Sequence, residues 1–193
     1  MRTLCVRCMR SVALCYCARV RPFDVGFDLV ILQHPRERKR TTATARMTHL
    51  CIRNSSLVVG SSFERDPQVN AWLADPSRFC VILYPGRDSV DLSSQAWSPS
   101  PGRRLTVFVL DGTWSTAKTL LARSPNLQAL PQVRFTPVRQ SEYGFRRQPR
   151  PECLSTIEAV HDLLEVLEPQ SQRELVRVLV HLQHAYHWPR SKA

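Results

Sequence analysis

The sequence predicts an α/β fold in which a mostly parallel β-sheet is flanked by helices, with a small metal-binding knuckle at the amino-terminal end. Two observations carry this prediction. Short, nearly continuous apolar runs alternate with segments of helical character, which is typical of buried parallel strands joined by helices. Four of the seven cysteines fall together between Cys5 and Cys17, at a spacing that indicates a zinc site.

Apolar runs rich in Val and Ile, each followed by turn residues, form the predicted strands. They are residues 27–33, 57–59, 79–83 and 105–110. A fifth strand is predicted over residues 133–138, although Pro137 interrupts it and removes a backbone donor.

The segments between these runs predict helices, over residues 42–52, 68–74 and 114–123, the last capped by Thr113. Ser155 and Glu158 form a capping box at the start of a helix that extends to residue 167. A second box at residues 171–174 predicts a final helix. Residues 85–104 and 139–152 are polar or rich in Ser, Pro and Arg, and predict long loops.

The composition favours a polyanionic partner. Lys and Arg number 27 against 16 acidic residues, so the net charge is +11 and the pI is about 10.0. Nucleic acid is the commonest polyanion for such a chain, and an inert basic surface is the alternative. The first ten residues interleave Arg with Cys and lack the apolar stretch of a secretory signal, and no apolar run is long enough to span a membrane. We therefore expect a cytoplasmic protein without a membrane partner.

The cysteine cluster has the pattern Cys5-x2-Cys8-x6-Cys15-x-Cys17. Four thiolates suit the tetrahedral coordination of Zn²⁺, and a CxxC turn presents two of them from one loop. Because four ligands leave no open position, the metal is expected to be structural. Scattered free thiols are the alternative. The predicted domains are a zinc-binding knuckle over residues 1–22 and a larger domain over residues 23–193.

Short motifs follow one another along the larger domain. They are QHPRE at 33–37, LYPG at 83–86, LDGTW at 110–114, SEY at 141–143, RRQP at 146–149 and LSTIEA at 154–159. With the cysteine cluster, this set resembles the DTW-domain family, named for the Asp, Thr and Trp found here at 111, 113 and 114. The sequence departs from the family's pattern at Gly144-Phe145, where an aliphatic residue is expected, and this difference affects packing more than chemistry.

The resemblance implies a SPOUT-like fold with a C-terminal trefoil knot, against which S-adenosylmethionine binds. It also implies a tRNA-modifying enzyme. Such an enzyme transfers the 3-amino-3-carboxypropyl group of S-adenosylmethionine to N3 of a uridine in tRNA and releases 5′-methylthioadenosine. Residues 23–193 would then form the catalytic DTW domain. A monomer is expected rather than the dimer that many knotted enzymes form.

The proposed chemistry needs a base for the uridine N3 proton, and Asp111 is the first candidate. It follows a predicted strand, where open α/β sheets place their ligand sites, although a turn or cap role is the alternative. Glu142, in a polar loop, is the second catalytic candidate. The positions assigned to S-adenosylmethionine are Leu83, Pro85, Gly86, Leu110, Asp111, Thr113, Trp114, Ser141, Arg146, Pro149, Leu154 and Thr156. Helix capping by Thr113 and core packing by Trp114 are the alternatives at those positions, and a capping role is favoured for Glu158.

The densest basic run is expected to bind tRNA phosphates. It comprises Arg36, Arg38, Lys39, Arg40 and Arg46, and Arg147 is added from the RRQP motif. A solvated surface without a partner is the alternative. Two other functions stay open: a SPOUT-type RNA methyltransferase, which would release S-adenosylhomocysteine, and a non-catalytic zinc-bearing RNA-binding protein.

Overall fold

The computed structural model of the chain describes residues 3–38, 40, 43–94, 97–137, 141 and 154–168. The chain forms two compact units. Unit 1 takes in residues 1–23, 41–53 and 137–193, and unit 2 takes in residues 24–40 and 54–136. The division into a knuckle and a catalytic domain at residue 23 stays a prediction.

Unit 2 is built on a parallel sheet. Its strands are β1 (Asp28–Gln33), β2 (Ser55–Val59), β3 (Arg78–Leu83), β4 (Val90–Asp91), β5 (Arg104–Asp111) and β6 (Gln132–Arg134). The strand order is β2-β1-β5-β3-β6-β4, and every neighbouring pair is parallel. The predicted α/β class with a mostly parallel sheet is therefore confirmed.

Helices follow most of the strands, as parallel connections require. In unit 2 they are α1 (Pro35–Arg38), α3 (Pro67–Ala74), α4 (Trp114–Ala122) and α5 (Pro125–Gln128), and in unit 1 they are α2 (Ala45–Cys51) and α6 (Thr156–Leu167). Apolar side chains of β1, β3 and β5 pack with those of α3, α4 and α5 in one core. Its buried members are Val30, Leu32, Phe63, Val69, Ile82, Phe108, Leu120, Leu121 and Leu127.

An ion-pair cluster joins the amino-terminal ends of the three central strands. Asp28 on β1 accepts from Arg78 Nη1 at 2.6 Å and from Arg104 Nη2 at 2.7 Å. Burial alone would raise the pKa of Asp28, but the hydrogen bonds from Arg104 and Arg78 outweigh it and hold that pKa below its ordinary value. The shared carboxylate therefore fastens β1, β3 and β5 together at this end.

The structure differs from the sequence prediction in three places. The fifth strand is shorter than predicted, since β6 ends at Arg134, well before Pro137. The predicted loop over 85–104 contains β4, whose two residues are too few to show a periodicity. Helices α1 and α5 were not predicted. Each is a single turn that begins with proline. Proline suits the first helical position because the backbone nitrogen there has no hydrogen-bond partner within the helix.

Unit 1 contains the amino-terminal knuckle and two helices in contact, α2 and α6. The hydroxyl of Thr44, just before α2, accepts a hydrogen bond from the backbone N–H of Ile157 at 3.3 Å. Among the described residues, no helix has the length and hydrophobicity that crossing a membrane requires. The helix predicted from residue 171 lies outside the described residues.

Candidate active site and metal centre

The carboxyl ends of the three central strands bring several predicted site residues to one edge of the sheet in unit 2. Gln33, the last residue of β1, is the register partner of Asp111, the last residue of β5. Leu83, the last residue of β3, is the partner of Val109 on the other side of β5. Leu83, Leu110 and Asp111 therefore lie at the edge where open α/β sheets place their ligand sites.

Asp111 is a buried carboxylate held by a buried amide. Asp111 and Gln33 are 5% and 2% exposed, and Gln33 Nε2 donates to Asp111 Oδ2 at 2.8 Å. The backbone carbonyl of Asp111 also accepts from the N–H of His34 at 2.9 Å. Both bonds fix the end of β5 against the end of β1. The carboxylate is thus oriented before any ligand arrives, which is what a base in a buried site requires.

The three residues after Asp111 form a tight turn into α4. Thr113 is the N-cap: its hydroxyl accepts from the N–H of Thr116 at 3.2 Å, so the predicted capping role is confirmed. A side chain at Gly112 would overlap Thr116 Oγ1, so the close approach requires glycine. Trp114 is 46% exposed and does not fill the core. The indole therefore offers an open apolar surface three residues from the buried carboxylate.

A second turn follows β3 at the same edge. The backbone N–H of Gly86 donates to the carbonyl of Tyr84 at 2.8 Å, and the backbone N–H of Tyr84 donates to the carbonyl of Val133 on β6 at 2.9 Å. A side chain at Gly86 would overlap the amide oxygen of Gln132. The Gln132 side chain therefore fills the space beside the Gly86 backbone, and Pro85 and Gly86 form a compact turn against it.

The basic run begins directly after β1. Arg36, Arg38 and Arg40 are exposed, whereas Glu37 is buried and lies 3.3 Å from Arg40 Nε. These three arginines belong to unit 2. Arg46 is half-buried on α2 in unit 1, where burial lowers the pKa of His49 and the positive charge of Arg46 lowers it further.

Three further candidates, Ser141, Leu154 and Thr156, belong to unit 1. Glu158 accepts from the backbone N–H of Ser155 at 2.8 Å and from the Ser141 hydroxyl at 2.9 Å. The capping box at α6 is present, which confirms the structural role favoured for Glu158. Five predicted site residues lie outside the described residues, namely Lys39, Glu142, Arg146, Arg147 and Pro149.

The four cysteines of the knuckle converge as a metal site requires. Their sulfur atoms all lie within 4.8 Å of one another, with 3.8 Å between Cys5 and Cys17 and 3.8 Å between Cys8 and Cys15. A tetrahedron with Zn–S bonds of about 2.3 Å has sulfur atoms about 3.8 Å apart, which is the distance found for these two pairs.

A tight backbone turn holds this cluster. The N–H of Cys5 donates to the carbonyl of Arg10 at 2.7 Å and the N–H of Met9 donates to the carbonyl of Cys5 at 2.8 Å, while Met9 takes a left-handed φ of 59°. Hydrogen bonds from the backbone of Cys8 and Arg7 lower the pKa of Cys5 to about 6, and burial raises that of Cys8. The lowered pKa favours the thiolate form of Cys5, which is the form of cysteine that binds metals.

The sequence alone indicates no role for Gln33, although this residue begins the QHPRE motif. The sequence feature that could have indicated a role is a polar residue at the end of an otherwise apolar strand. A fully buried strand rarely carries such a residue without a hydrogen-bond partner. The partner became visible only once the register placed Gln33 opposite Asp111.

Comparison with known proteins agrees with the motifs. The sequence matches the DTW domain over residues 2–187. It is 38% identical to tRNA-uridine aminocarboxypropyltransferase 2 of Drosophila melanogaster over 187 residues, covering 92% of this chain and 72% of the fly protein. The identity is 31% with the protein of the same name from Mus musculus, covering 92% of this chain and 61% of the mouse protein. It is 27% with tRNA-uridine aminocarboxypropyltransferase A of Arabidopsis thaliana, covering 92% of this chain and 78% of the plant protein.

No solved structure matches the chain. The chain spans less than two thirds of the mouse relative and nearly three quarters of the fly relative. Since the domain match extends over almost all of its residues, the chain belongs to the DTW domain family.

Proposed function

We propose that this protein transfers the 3-amino-3-carboxypropyl group of S-adenosylmethionine to N3 of a uridine in tRNA, releasing 5′-methylthioadenosine. The observation that carries the proposal is the buried Asp111 carboxylate, held by Gln33 at the carboxyl edge of the sheet. It occurs in a family whose curated relatives are named for this transfer.

Asp111 acts as the base in this proposal. Its carboxylate accepts the N3 proton of uridine, and the N3 lone pair then forms the new N–C bond. When bound, S-adenosylmethionine supplies a sulfonium leaving group, so that the C–S bond breaks as the N–C bond forms and its electron pair stays on sulfur. Gln33 is a positioning residue, because it keeps the carboxylate in one rotamer without itself touching substrate.

The other residues at the edge bind and orient. The turn at Pro85 and Gly86 is assigned to the adenosine moiety, and the half-buried Leu83 and Leu110 provide apolar surface at the same edge of the sheet. The exposed ring of Trp114 suits stacking against a base. Glu142 is proposed as a second catalytic group, and Ser141, Arg146, Pro149, Leu154 and Thr156 as further cofactor-binding positions.

tRNA is the proposed polyanionic partner. The support is a net charge of +11 and the exposed Arg36, Arg38 and Arg40 directly after β1, the strand that carries Gln33. Phosphates pair with such side chains and release counterions on binding. Lys39, Arg46 and Arg147 are proposed as further phosphate-binding residues.

Two further features complete the proposal. The four-cysteine cluster binds one structural Zn²⁺, for which the matching sulfur–sulfur distances are the support. The fold is proposed to be SPOUT-like with a knot in its carboxyl-terminal part. The support is the parallel sheet of unit 2 and the chain's resemblance to the DTW-domain family.

Differently labelled S-adenosylmethionine tests the transfer. Purified protein is incubated with unmodified tRNA and cofactor labelled either in the carboxyl carbon or in the methyl carbon. We expect the carboxyl label alone to enter the tRNA, and Asp111→Asn to lose that incorporation while remaining folded. Incorporation of the methyl label would indicate a methyltransferase instead, and tRNA binding without any incorporation would indicate a binding protein.

A further inference from the structure

The knuckle carries an unusual concentration of exposed apolar side chains. Leu4, Val6, Met9 and Val12 are 53%, 89%, 45% and 59% exposed. In the remainder of the described chain only Trp114 and Val166 are large hydrophobic residues with comparable exposure. Four large exposed apolar side chains within nine residues form a candidate interaction surface, whereas single exposed residues need no explanation.

The fold of the knuckle explains why these side chains point outward. The cysteines turn inward to one another, and Cys8 is 2% exposed. Leu4 pairs with Ser11 across a backbone bridge, and the N–H of Val12 donates to the carbonyl of Thr3 at 3.0 Å. The loop is therefore held by backbone hydrogen bonds and thiols. Its apolar side chains are not needed for a core.

The charge of the knuckle indicates what kind of partner covers this patch. Residues 1–23 contain five arginines and no acidic residue. Arg7 lies within the apolar patch and is exposed, as is Arg19. Arg10, by contrast, is buried and donates to the carbonyl of Ala43 at 3.2 Å. Exposed apolar side chains beside the exposed Arg7 and Arg19 suit a partner that is both apolar and strongly anionic.

We propose that the knuckle surface, formed by Leu4, Val6, Arg7, Met9 and Val12, binds unpaired nucleobases of the tRNA. This inference rests on tRNA as the proposed substrate. Single-stranded loops expose the apolar faces of their bases beside phosphates, whereas a duplex stacks those faces away. The apolar side chains contact the base faces and Arg7 pairs with a neighbouring phosphate. The surface contributes to binding tRNA and takes no part in the transfer at Asp111.

The test uses full-length protein with Val6→Ser or Leu4→Ser, and Val166→Ser as the matched control. Val166 is an apolar residue on α6 that is 36% exposed, so the control makes the same kind of change outside the knuckle. Binding is measured to an unmodified tRNA transcript and to a blunt RNA duplex of equal length. Zinc content is measured for every variant.

We expect each knuckle variant to raise the Kd for tRNA by about tenfold, as the loss of one buried aliphatic contact implies. The Kd for the duplex and the kcat at saturating tRNA should stay unchanged, and Val166→Ser should resemble the wild type. Arg7→Gln should weaken binding to both RNAs and reduce the slope of log Kd against log salt by about 1.

Wild-type tRNA affinity in Val6→Ser and Leu4→Ser, with zinc retained, would overturn the inference. Self-association of the wild type that Val6→Ser abolishes would overturn it too, since the surface would then belong to a second copy of the chain. If Val6→Ser loses zinc, Val12→Ser serves in its place. If the knuckle variants bind tRNA more weakly but the wild type has no transferase activity, the inference stands and the proposed function is refuted. If the wild type is fully active and the knuckle variants bind tRNA as tightly as it does, the proposed function stands and the inference is refuted.

Discussion

Replacing Gln33 with Met removes the amide that donates to Asp111 while nearly preserving the size of the side chain. The lost bond joins Nε2 to Oδ2 at 2.8 Å. Both side chains are buried, so water does not readily take the place of the amide. A hydrogen bond to a charged group is worth about 1.5–3 kcal/mol. If most of that energy orients the base, kcat should fall by about 10- to 100-fold.

The assay is the release of methylthioadenosine at saturating tRNA and S-adenosylmethionine. We expect the loss to appear in kcat, with little change in either KM, because Gln33 touches the base and not the substrates. Gln128→Met is the matched control: Gln128 also donates through its amide, to the carbonyl of Leu121 at 3.0 Å, but lies on α5. This control should leave kcat unchanged.

A kcat within twofold of the wild type in Gln33→Met would refute the positioning role, provided that Asp111→Asn remains inactive. A rise in KM alone would also contradict it, since it would mean that Gln33 contacts a substrate directly. Thermal denaturation of both variants separates a lost orientation from a lost fold.

Three further predictions concern stability. Asp28→Asn should lower the free energy of unfolding by about 1–3 kcal/mol in urea titrations. Because the pKa of Asp28 is lowered in the folded protein, the carboxylate's contribution to stability should be complete above the ordinary aspartate pKa of about 3.9. That contribution should disappear as the pH falls through the lowered pKa. Gly112→Ala should lower the melting temperature, because the added methyl overlaps Thr116 Oγ1, and an unchanged temperature would show that the turn relaxes freely. Cys8→Ser should abolish stoichiometric zinc in elemental analysis and open the knuckle to proteolysis, whereas a protease-resistant knuckle without metal would contradict a structural zinc.

Much of the sheet could be predicted because the sequences of buried parallel strands are nearly continuous apolar runs. Strands β1, β3 and β5 fall on such runs almost residue for residue, and the capping residues Thr113 and Ser155 fix where α4 and α6 begin. The spacing of the cysteines likewise predicted their convergence. These signals are local, so one sequence is enough to see them.

The features that the sequence did not predict depend on contacts between distant segments. Gln33 meets Asp111 across 78 positions of chain, and only the register of two parallel strands aligns them. The need for glycine at residue 112 arises from the side chain of Thr116 once the helix has formed. Equally, the exposure of Val6 could not be read from its type, because an apolar residue is ordinarily expected inside.

The most direct test of the proposed function is mass spectrometry of tRNA nucleosides and cofactor products after reaction with the wild type and with Asp111→Asn. We predict that the wild type yields a uridine heavier by one aminocarboxypropyl group together with methylthioadenosine, and that Asp111→Asn yields neither while binding tRNA normally. Methyluridine with S-adenosylhomocysteine, or full product formation by Asp111→Asn, would contradict the account.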